Sequence, residues 1–467
     1  MSSDLHLDSG EVALLTDLYE LTMAASYLEH GFNDPACFSL SVRRLPPRRG
    51  YLVAAGTERF FEAVEQLRFD AAALEYLDSL KLFKPDFLDY LGRFRFTGSI
   101  RAIPEGTIFF AEEPILEIDA PLIEAQLLET LAINQVGVAT MIASKAARSY
   151  SAAQGRRLIE FGLRRAQGAD AGLVAARSSY LAGFNGTANV LAGKRYGIPV
   201  YGTMAHSYVM AHERERDAFA DFATSFPKLS TLLVDTYDTV KGTENAAQVA
   251  LELKQSGVEL QGVRLDSGDL ADLSKRVRKA LDMRGLAQTS IFASGNLDEY
   301  AIAELVRGKA PIDAFGVGTA MVVSADAPSL DMTYKLVEYK GRPRVKTSRN
   351  KVTLPGRKQV FRAWNRAGVP YLDLIGVIEE SPSTVAREFK PTPDKITELM
   401  VARMREGRRI EPNPTLAQAR ETFLEGFARL PPPLKALERP EAYKVRYTAA
   451  LNAMQVSEKL KVAERQR

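Results

Sequence analysis

From about residue 157 onward the chain settles into a rhythm: a short apolar run, a loop of small or acidic residues, then a stretch with helical spacing. The runs are Leu158–Gly162, Leu181–Asn185, Val200–Met204, Thr231–Val234, Leu260–Leu265, Ser290–Ala293, Ala314–Val317 and Leu336–Tyr339. A strand that is apolar at nearly every position is buried on both faces, as happens when helices cover both sides of a parallel sheet. About eight strand–helix units in roughly 185 residues predict a compact, closed α/β barrel, with an open doubly wound sheet as the alternative. Asn296 with Glu299 reads as a capping box opening one of the helices, and Gly308 closes it.

The flanks have a different texture. Asp17 followed by Glu20 reads as a capping box for a helix carrying Leu18, Leu21, Met23, Tyr27 and Leu28. Ala36–Val42 alternates like a strand, Glu58–Gln66 and Ala71–Leu80 have helical spacing, and Thr97–Ile118 reads as a small antiparallel sheet. Beyond residue 345 come a strand at Gln359–Trp364 and helices at Thr415–Ala428 and Ala442–Lys459, with a charged tail after Glu458 that is expected to fray. The expected organisation is an irregular parallel α/β barrel over residues 151–344, and a mixed α+β domain built from residues 1–150 and 345–467.

Composition narrows the function classes. Lys and Arg total 61 against 58 Asp and Glu, a net charge of +3, which points to neither nucleic acid nor a membrane as partner. No apolar run approaches the roughly 18 residues of a membrane span. Cys37 is the only cysteine, so no intrachain disulfide and no thiolate metal cluster is expected, and four histidines leave little for a histidine-rich metal site. With no leader-like start, the expected location is the cytoplasm.

In a parallel barrel the reactive groups gather where strands end. Those ends supply Glu160–Arg165, Phe184–Thr187, Gly202–Ser207, Asp235–Asp238, Arg264–Asp269, Ser294–Asn296 and Phe315–Thr319. Arginine, carboxylate, one histidine and Gly/Ser/Thr turns on one face make a site for a polyanion. Gly316-x-Gly318-Thr319 can cradle phosphate with backbone amides, although alone it is equally a tight turn, and it lacks the full dinucleotide fingerprint. Arg264 and Asp266, two residues apart on a strand, point the same way. They offer a fork for a carboxylate or phosphate and an acceptor for sugar hydroxyls or a metal, or else form a structural ion pair. His206 lies on a loop rather than an apolar helix face. By pattern alone Tyr19 is a packing residue, the Arg43–Arg49 and Lys346–Lys351 clusters are solvated loops, and Asp235 and Asp238 are helix caps or metal ligands.

At these residues the sequence resembles the nicotinate phosphoribosyltransferase family of type II phosphoribosyltransferases. The resemblance runs through Leu15–Tyr19, Glu160–Gly168, Gly202–Ser207, Leu233–Thr239, Val263–Asp269, Gly316–Thr319 and Thr353–Gly356, in order, over nearly the whole chain. It implies an enzyme of NAD biosynthesis that makes nicotinate mononucleotide from nicotinate and 5-phosphoribosyl 1-pyrophosphate, with ATP as co-substrate and Mg2+ on the phosphates. His206 then matches a histidine phosphorylated by ATP, with Asp266 as its catalytic neighbour. Tyr19 and Phe161 match aromatics that sandwich the pyridine, Tyr19 coming from the second subunit of a homodimer with shared active sites. Arg264, Thr203 and Arg164 match substrate contacts. Ser294, Gly295, Gly316, Gly318 and Thr319 match the 5′-phosphate cradle, and Arg48, Arg49, Lys346 and Lys351 match contacts to pyrophosphate or ATP. Nicotinamide-using relatives carry an aspartate after their Gly-Thr; here Gly186-Thr187 is followed by Ala188, which favours the acid. The zinc-binding cysteines of some archaeal members are missing, so no protein-held metal is expected. The rival readings are a nicotinamide or quinolinate phosphoribosyltransferase and a non-catalytic metabolite-binding barrel.

Overall fold

The computed structural model describes residues 9–254, 257, 259–348, 353–410 and 412–465. It divides into two compact units, one of residues Ile142–Pro328 and one formed by the described residues up to Met141 and from Ser329 onward. The division falls within one long helix, Glu129–Ala153.

The Ile142–Pro328 unit is built on six parallel strands: β1 (Arg157–Glu160), β2 (Gly186–Thr187), β3 (Thr231–Leu233), β4 (Gly262–Leu265), β5 (Ser290–Ala293) and β6 (Ala314–Val317). They lie in the order β2-β1-β6-β5-β4-β3. Every strand except β2 neighbours the next in sequence and the last neighbours the first, the cyclic order of a barrel opened between β2 and β3 rather than the reversed order of a doubly wound sheet. Among the described residues the ladder stops at β3 on one side. On the other it stops at β2, extended only by a parallel bridge from Thr187 to Val200. The apolar residues of these runs are buried, Leu158, Leu232, Val263, Ile291 and Phe315 among them. Paired registers Glu160–Val317 and Leu265–Ala293 bring the strand ends to a common rim. Helices follow the strands with legible starts. Asn189 accepts from the Ala192 amide, and Asp269 accepts from the Ala271 and Asp272 amides.

Of the eight apolar runs five become parallel strands, and the sixth strand, β2, lies just beyond the run Leu181–Asn185. Leu181–Asn185 is a helix end and turn leading into β2, because the helix Ala169–Leu181 consumes its first residue. Val200–Met204 contributes a single bridge. Leu336–Tyr339 belongs to the other unit, within the antiparallel strand Met332–Tyr339 that pairs with Pro35–Val42.

In that other unit a seven-stranded antiparallel sheet runs in the order Arg342–Pro343, Met332–Tyr339, Pro35–Val42, Pro114–Pro121, Ser99–Ala102, Val401–Arg405 and Arg408–Arg409. A four-stranded sheet holds Lys395–Glu398, Lys358–Trp364, Pro370–Val377 and Val445–Tyr447. The core gathers Phe38, Phe60, Leu116, Tyr334 and Ile375. Helices Thr57–Gln66, Ala71–Ser79 and Leu416–Arg429 fall where helical spacing predicts them. The last helix differs: it starts at Ala449, after the strand Val445–Tyr447, and runs on through the charged tail to Arg465.

Neither expected capping box forms. Asp17 caps by position but makes no side-chain cap bond. Its carboxylate accepts instead from the Thr130 hydroxyl at 2.8 Å, while Glu20 accepts from the Thr130 amide at 3.0 Å. The unsatisfied first turn of the Glu129–Ala153 helix claims both acids. In the parallel unit Asp298, not Asn296, caps the helix Glu299–Arg307, and Glu299 is buried in an ion network. One stretch, Leu122–Ala153, is long and apolar enough to cross a membrane, and 61% of its most apolar window is buried within the protein.

Candidate active site

Arg264 organises the rim of the parallel unit. It sits near the end of β4, where side chains two apart share a face. Its guanidinium donates from Nε to Ser294 Oγ at 2.9 Å, from Nη1 to Thr203 Oγ1 at 2.7 Å and the Met204 carbonyl at 3.2 Å, and from Nη2 to Asp266 Oδ1 at 2.8 Å. Four of the five N–H groups a guanidinium carries are thereby engaged, leaving one on Nη2. The expected open fork is thus largely spent on positioning. Beneath it lies the Phe161 ring, whose centroid is 5.8 Å from the Arg264 guanidinium carbon, with Phe292 tilted against it at 5.5 Å.

Asp266 is the second hub. Its Oδ1 also accepts from the Ser294 hydroxyl, and its Oδ2 stands 4.0 Å from His206 Nε2. Partial burial pushes this carboxyl up, but hydrogen bonds from Arg264 and Ser294 and the charges of Arg264 and His206 outweigh it and hold it below its ordinary value. His206, first residue of the short helix His206–Met210, has a 41% exposed side chain with Nδ1 3.1 Å from the Thr236 hydroxyl. Both faces of the imidazole edge are therefore addressed, one by a hydroxyl and one by a carboxylate.

Two glycines are dictated by close approach. A side chain at Gly295, where φ is +91°, would place Cβ 1.9 Å from the Asp266 carbonyl oxygen. At Gly316, inside β6, a Cβ would meet the Phe161 ring at 2.7 Å and Phe292 at 2.9 Å. Gly316 is thus the seat of the aromatic pair. Gly318 precedes the four-residue helix Thr319–Val322, whose first amides are the ones left without helix partners, and Thr319 is exposed there.

The same arrangement leaves Arg164 apart. It projects into solvent from the turn Leu163–Arg165 and makes none of the contacts that bind Arg264, Asp266, Ser294, Thr203, Phe161 and His206 together. A cavity of about 230 Å³ opens inside the strand ring, with Phe161, Phe292, Tyr201, Gly202 and Thr203 among its walls. Its lining also takes in the first residues of five strands, Arg157, Thr231, Gly262, Ser290 and Ala314, so it reaches from the aromatic pair toward the strand starts, away from Asp266 and His206.

Two strand-end acids that the sequence offered without this role act as supports. Asp235 Oδ2 accepts from the Asp266 amide at 2.9 Å and the Ser267 hydroxyl at 2.7 Å, so it orients the Asp266 loop. Glu160, buried at the end of β1, accepts from the Gly162 amide and the Thr187 hydroxyl and fixes the turn that carries Phe161. Burial pushes the Glu160 carboxyl up, against the lowering effect of those two donors. The signal for both was their position at strand ends.

A search against known families finds the chain matching three models: the nicotinate phosphoribosyltransferase N-terminal domain over residues 14–137, the nicotinate phosphoribosyltransferase family over 156–360, and its C-terminal domain over 357–455. The chain belongs to the nicotinate phosphoribosyltransferase family. A nicotinate phosphoribosyltransferase of Mycobacterium tuberculosis is 48% identical over 91% of this chain and 89% of its own length. The Homo sapiens nicotinate phosphoribosyltransferase is 33% identical over 94% and 95% respectively. Among solved structures, human nicotinic acid phosphoribosyltransferase superposes with a TM-score of 0.83 at 32% identity, covering 95% of this chain and 99% of that one. The nicotinate-nucleotide pyrophosphorylase of Pyrococcus furiosus gives 0.75 at 25% identity, covering 92% and 99%.

The family's N-terminal domain match includes Tyr19 and the basic turn. Tyr19 is 45% exposed on the helix Leu18–Glu29. Its hydroxyl is pushed up by burial and by the nearby charges of Glu129, Glu20 and Asp17. In the basic turn the structure separates the cations. Arg49 is buried and donates to the Met141 carbonyl at 3.0 Å. Arg43 and Arg44, with Lys335, line a pocket of about 330 Å³ in the same unit. Arg48 occupies a left-handed turn position, Lys346 is exposed, and Lys351 lies outside the described residues.

Proposed function

We propose that this protein joins nicotinate to 5-phosphoribosyl 1-pyrophosphate, forming nicotinate mononucleotide and pyrophosphate while ATP is hydrolysed through a phosphohistidine. The observation that carries the reading is the Arg264 guanidinium, clamped by Thr203, Ser294 and Asp266 over the Phe161 ring. A planar anion laid on Phe161 meets a fixed positive charge, and the remaining Nη2 N–H donates to its carboxylate. Ala188, exposed after β2 with its amide donating to the Glu160 carbonyl at 2.8 Å, puts no negative charge against that carboxylate.

In the reaction the pyridine nitrogen forms a bond to the ribosyl C1 as the bond from C1 to pyrophosphate breaks. Positioning and charge stabilisation lower the barrier. Gly295, Gly318 and Thr319 hold the 5′-phosphate through backbone amides, Asp266 faces the ribosyl centre, and Arg164 meets the phosphates from outside. His206 takes the ATP γ-phosphoryl group on a ring nitrogen and returns it to water as phosphate.

No group of three or more His, Cys, Asp or Glu side chains able to hold a metal occurs among the described residues. Mg2+ fits nonetheless as a substrate-borne ion, since it is commonly held by one or two carboxylates plus phosphates and water. Asp235 Oδ1, buried without a partner, and Asp266 Oδ2 are the oxygens left for it. When bound it offsets charge on the departing pyrophosphate.

A homodimer belongs to the same reading. The exposed Leu18 and Tyr19 on one unit, and the exposed Val200, Tyr201 and Tyr237 near the ladder's open edge on the other, are surfaces suited to a second copy. Tyr19 from that copy would close the pyridine sandwich. Cytoplasmic residence accompanies it, with Cys37 a buried free thiol.

The test is a coupled assay that compares nicotinate, nicotinamide and quinolinate with and without ATP, in the wild type and His206→Ala. Turnover restricted to nicotinate, with ATP stimulation lost in the variant, is the expected result. Preference for either other pyridine overturns the substrate. Equal ATP stimulation in both proteins overturns the phosphohistidine.

A further inference from the structure

We propose that Lys145 is a positioning residue for the phosphoribosyl donor, tying together from behind the two loops that cradle its 5′-phosphate. Lys145 lies on the Glu129–Ala153 helix with a 3% exposed side chain. Its Nζ reaches Glu299 Oε1 at 2.9 Å and Oε2 at 2.8 Å, and Asp326 Oδ1 at 2.9 Å. Arg148, one turn further on, donates from Nε to Glu299 Oε1 at 2.9 Å and from Nη2 to the Tyr300 hydroxyl at 2.8 Å. This network lies outside the rim and makes no contact with Arg264, Asp266 or His206.

The placement of its two carboxylates carries the inference, which rests on the phosphate-cradle reading above. Glu299 opens the helix directly after Ser294–Gly295–Asn296, and Asp326 follows the helix that Gly318 and Thr319 begin. These loops leave the adjacent strands β5 and β6, and one ammonium holds both. Each loop also carries a residue in the left-handed region that L side chains seldom adopt, Asn296 at φ 50° and Ser324 at φ 44°. Such backbone persists where its surroundings over-determine it. Buried ion pairs are poor devices for stability, since well-packed apolar groups do as well, but they fix geometry. The four groups balance in charge. Without Lys145, Glu299 keeps Arg148 but the set carries one excess negative charge behind loops that must receive a phosphate dianion.

The experiment measures KM for 5-phosphoribosyl 1-pyrophosphate, KM for nicotinate, kcat and Tm in Lys145→Met, Lys145→Arg and Asp326→Asn, with Thr319→Glu as the cradle reference. Asp326→Asn severs only the second loop, so it carries the test should Lys145→Met not fold. Expected is a rise in the donor KM of about fivefold or more in Lys145→Met and Asp326→Asn, nicotinate KM within about twofold, and partial recovery in Lys145→Arg. If Thr319→Glu raises the donor KM while Asp326→Asn leaves it unchanged, or moves both KM values together, the positioning role is overturned. If Thr319→Glu itself leaves the donor KM unchanged, the cradle reading falls instead.

Discussion

Replacing Arg264 with lysine keeps the charge and removes the shape. The guanidinium reaches Ser294 Oγ, Thr203 Oγ1 and Asp266 Oδ1 from three different nitrogens, at 2.9, 2.7 and 2.8 Å. A lysine gathers its donors on one atom and cannot span the three partners. At least one hydrogen bond from a charged donor is lost, about 1.5–3 kcal/mol. If the clamp orients the pyridine for attack, that energy appears in the transition state as a fall of roughly 10- to 160-fold in kcat/KM for nicotinate. The assay is steady-state turnover at saturating donor and ATP, with a thermal melt in parallel to separate misfolding from misplacement. The matching control, Arg276→Lys, changes an exposed guanidinium that pairs with Asp272 on its own helix and is expected to leave nicotinate kcat/KM within about threefold. Wild-type efficiency within about twofold in Arg264→Lys would refute the reasoning, because the three-way geometry would then contribute nothing that a point charge does not.

Gly316→Ala introduces a Cβ 2.7 Å from the Phe161 ring, so the ring must move by about an ångström; the nicotinate KM is expected to rise about tenfold or more, and an unchanged value would show that the ring is not the pyridine platform. Ala188→Asp should raise the nicotinate KM and leave the nicotinamide KM unchanged or lower, by the like-charge argument, and parallel changes for both pyridines would count against it. For pH, Asp266 is held below its ordinary 3.8; a depressed carboxyl contributes stability that is complete above the unfolded value and lost as pH falls through the folded one. In Arg264→Met burial still raises that carboxyl while its main counterweight is gone, so its folded value moves up toward or past the unfolded one, and the share of stability that Asp266 loses on acidification in the wild type should shrink or reverse in the variant. Coincident acid profiles would be inconsistent with the coupling.

The alternation of apolar run and helix was legible because buried parallel strands leave continuous apolar text. The pairing Arg264–Asp266 was legible because residues two apart on a strand share a face. Which strand neighbours which was not, since hydrogen-bond partners are chosen by the tertiary fold; hence Leu336–Tyr339 reads correctly as a strand and lands in an antiparallel sheet. Spacing also misled at Asp17 and Glu20, where two acids with cap spacing serve the start of another helix through Thr130. Nor could composition sort the cations of the basic turn, of which Arg49 is buried while Arg43 and Arg44 face a pocket. Asp235 was read as a helix cap or metal ligand, and its support of the Asp266 loop was not legible because Asp266 and Ser267 lie on a different strand's loop.

The stave ring's one unladdered join has a mechanical meaning. Val200 is tied to its neighbour by a single bridge, and the segment that follows it carries Thr203 and His206 before β3 begins. A displacement of that segment breaks few main-chain bonds, whereas the same displacement after β4 or β5 would tear a ladder on both sides. The residue proposed to gain and lose a phosphoryl group thus stands on the arc of the hoop held least by main-chain ladder and most by side chains, Arg264 gripping Thr203 and Met204 and Thr236 meeting His206.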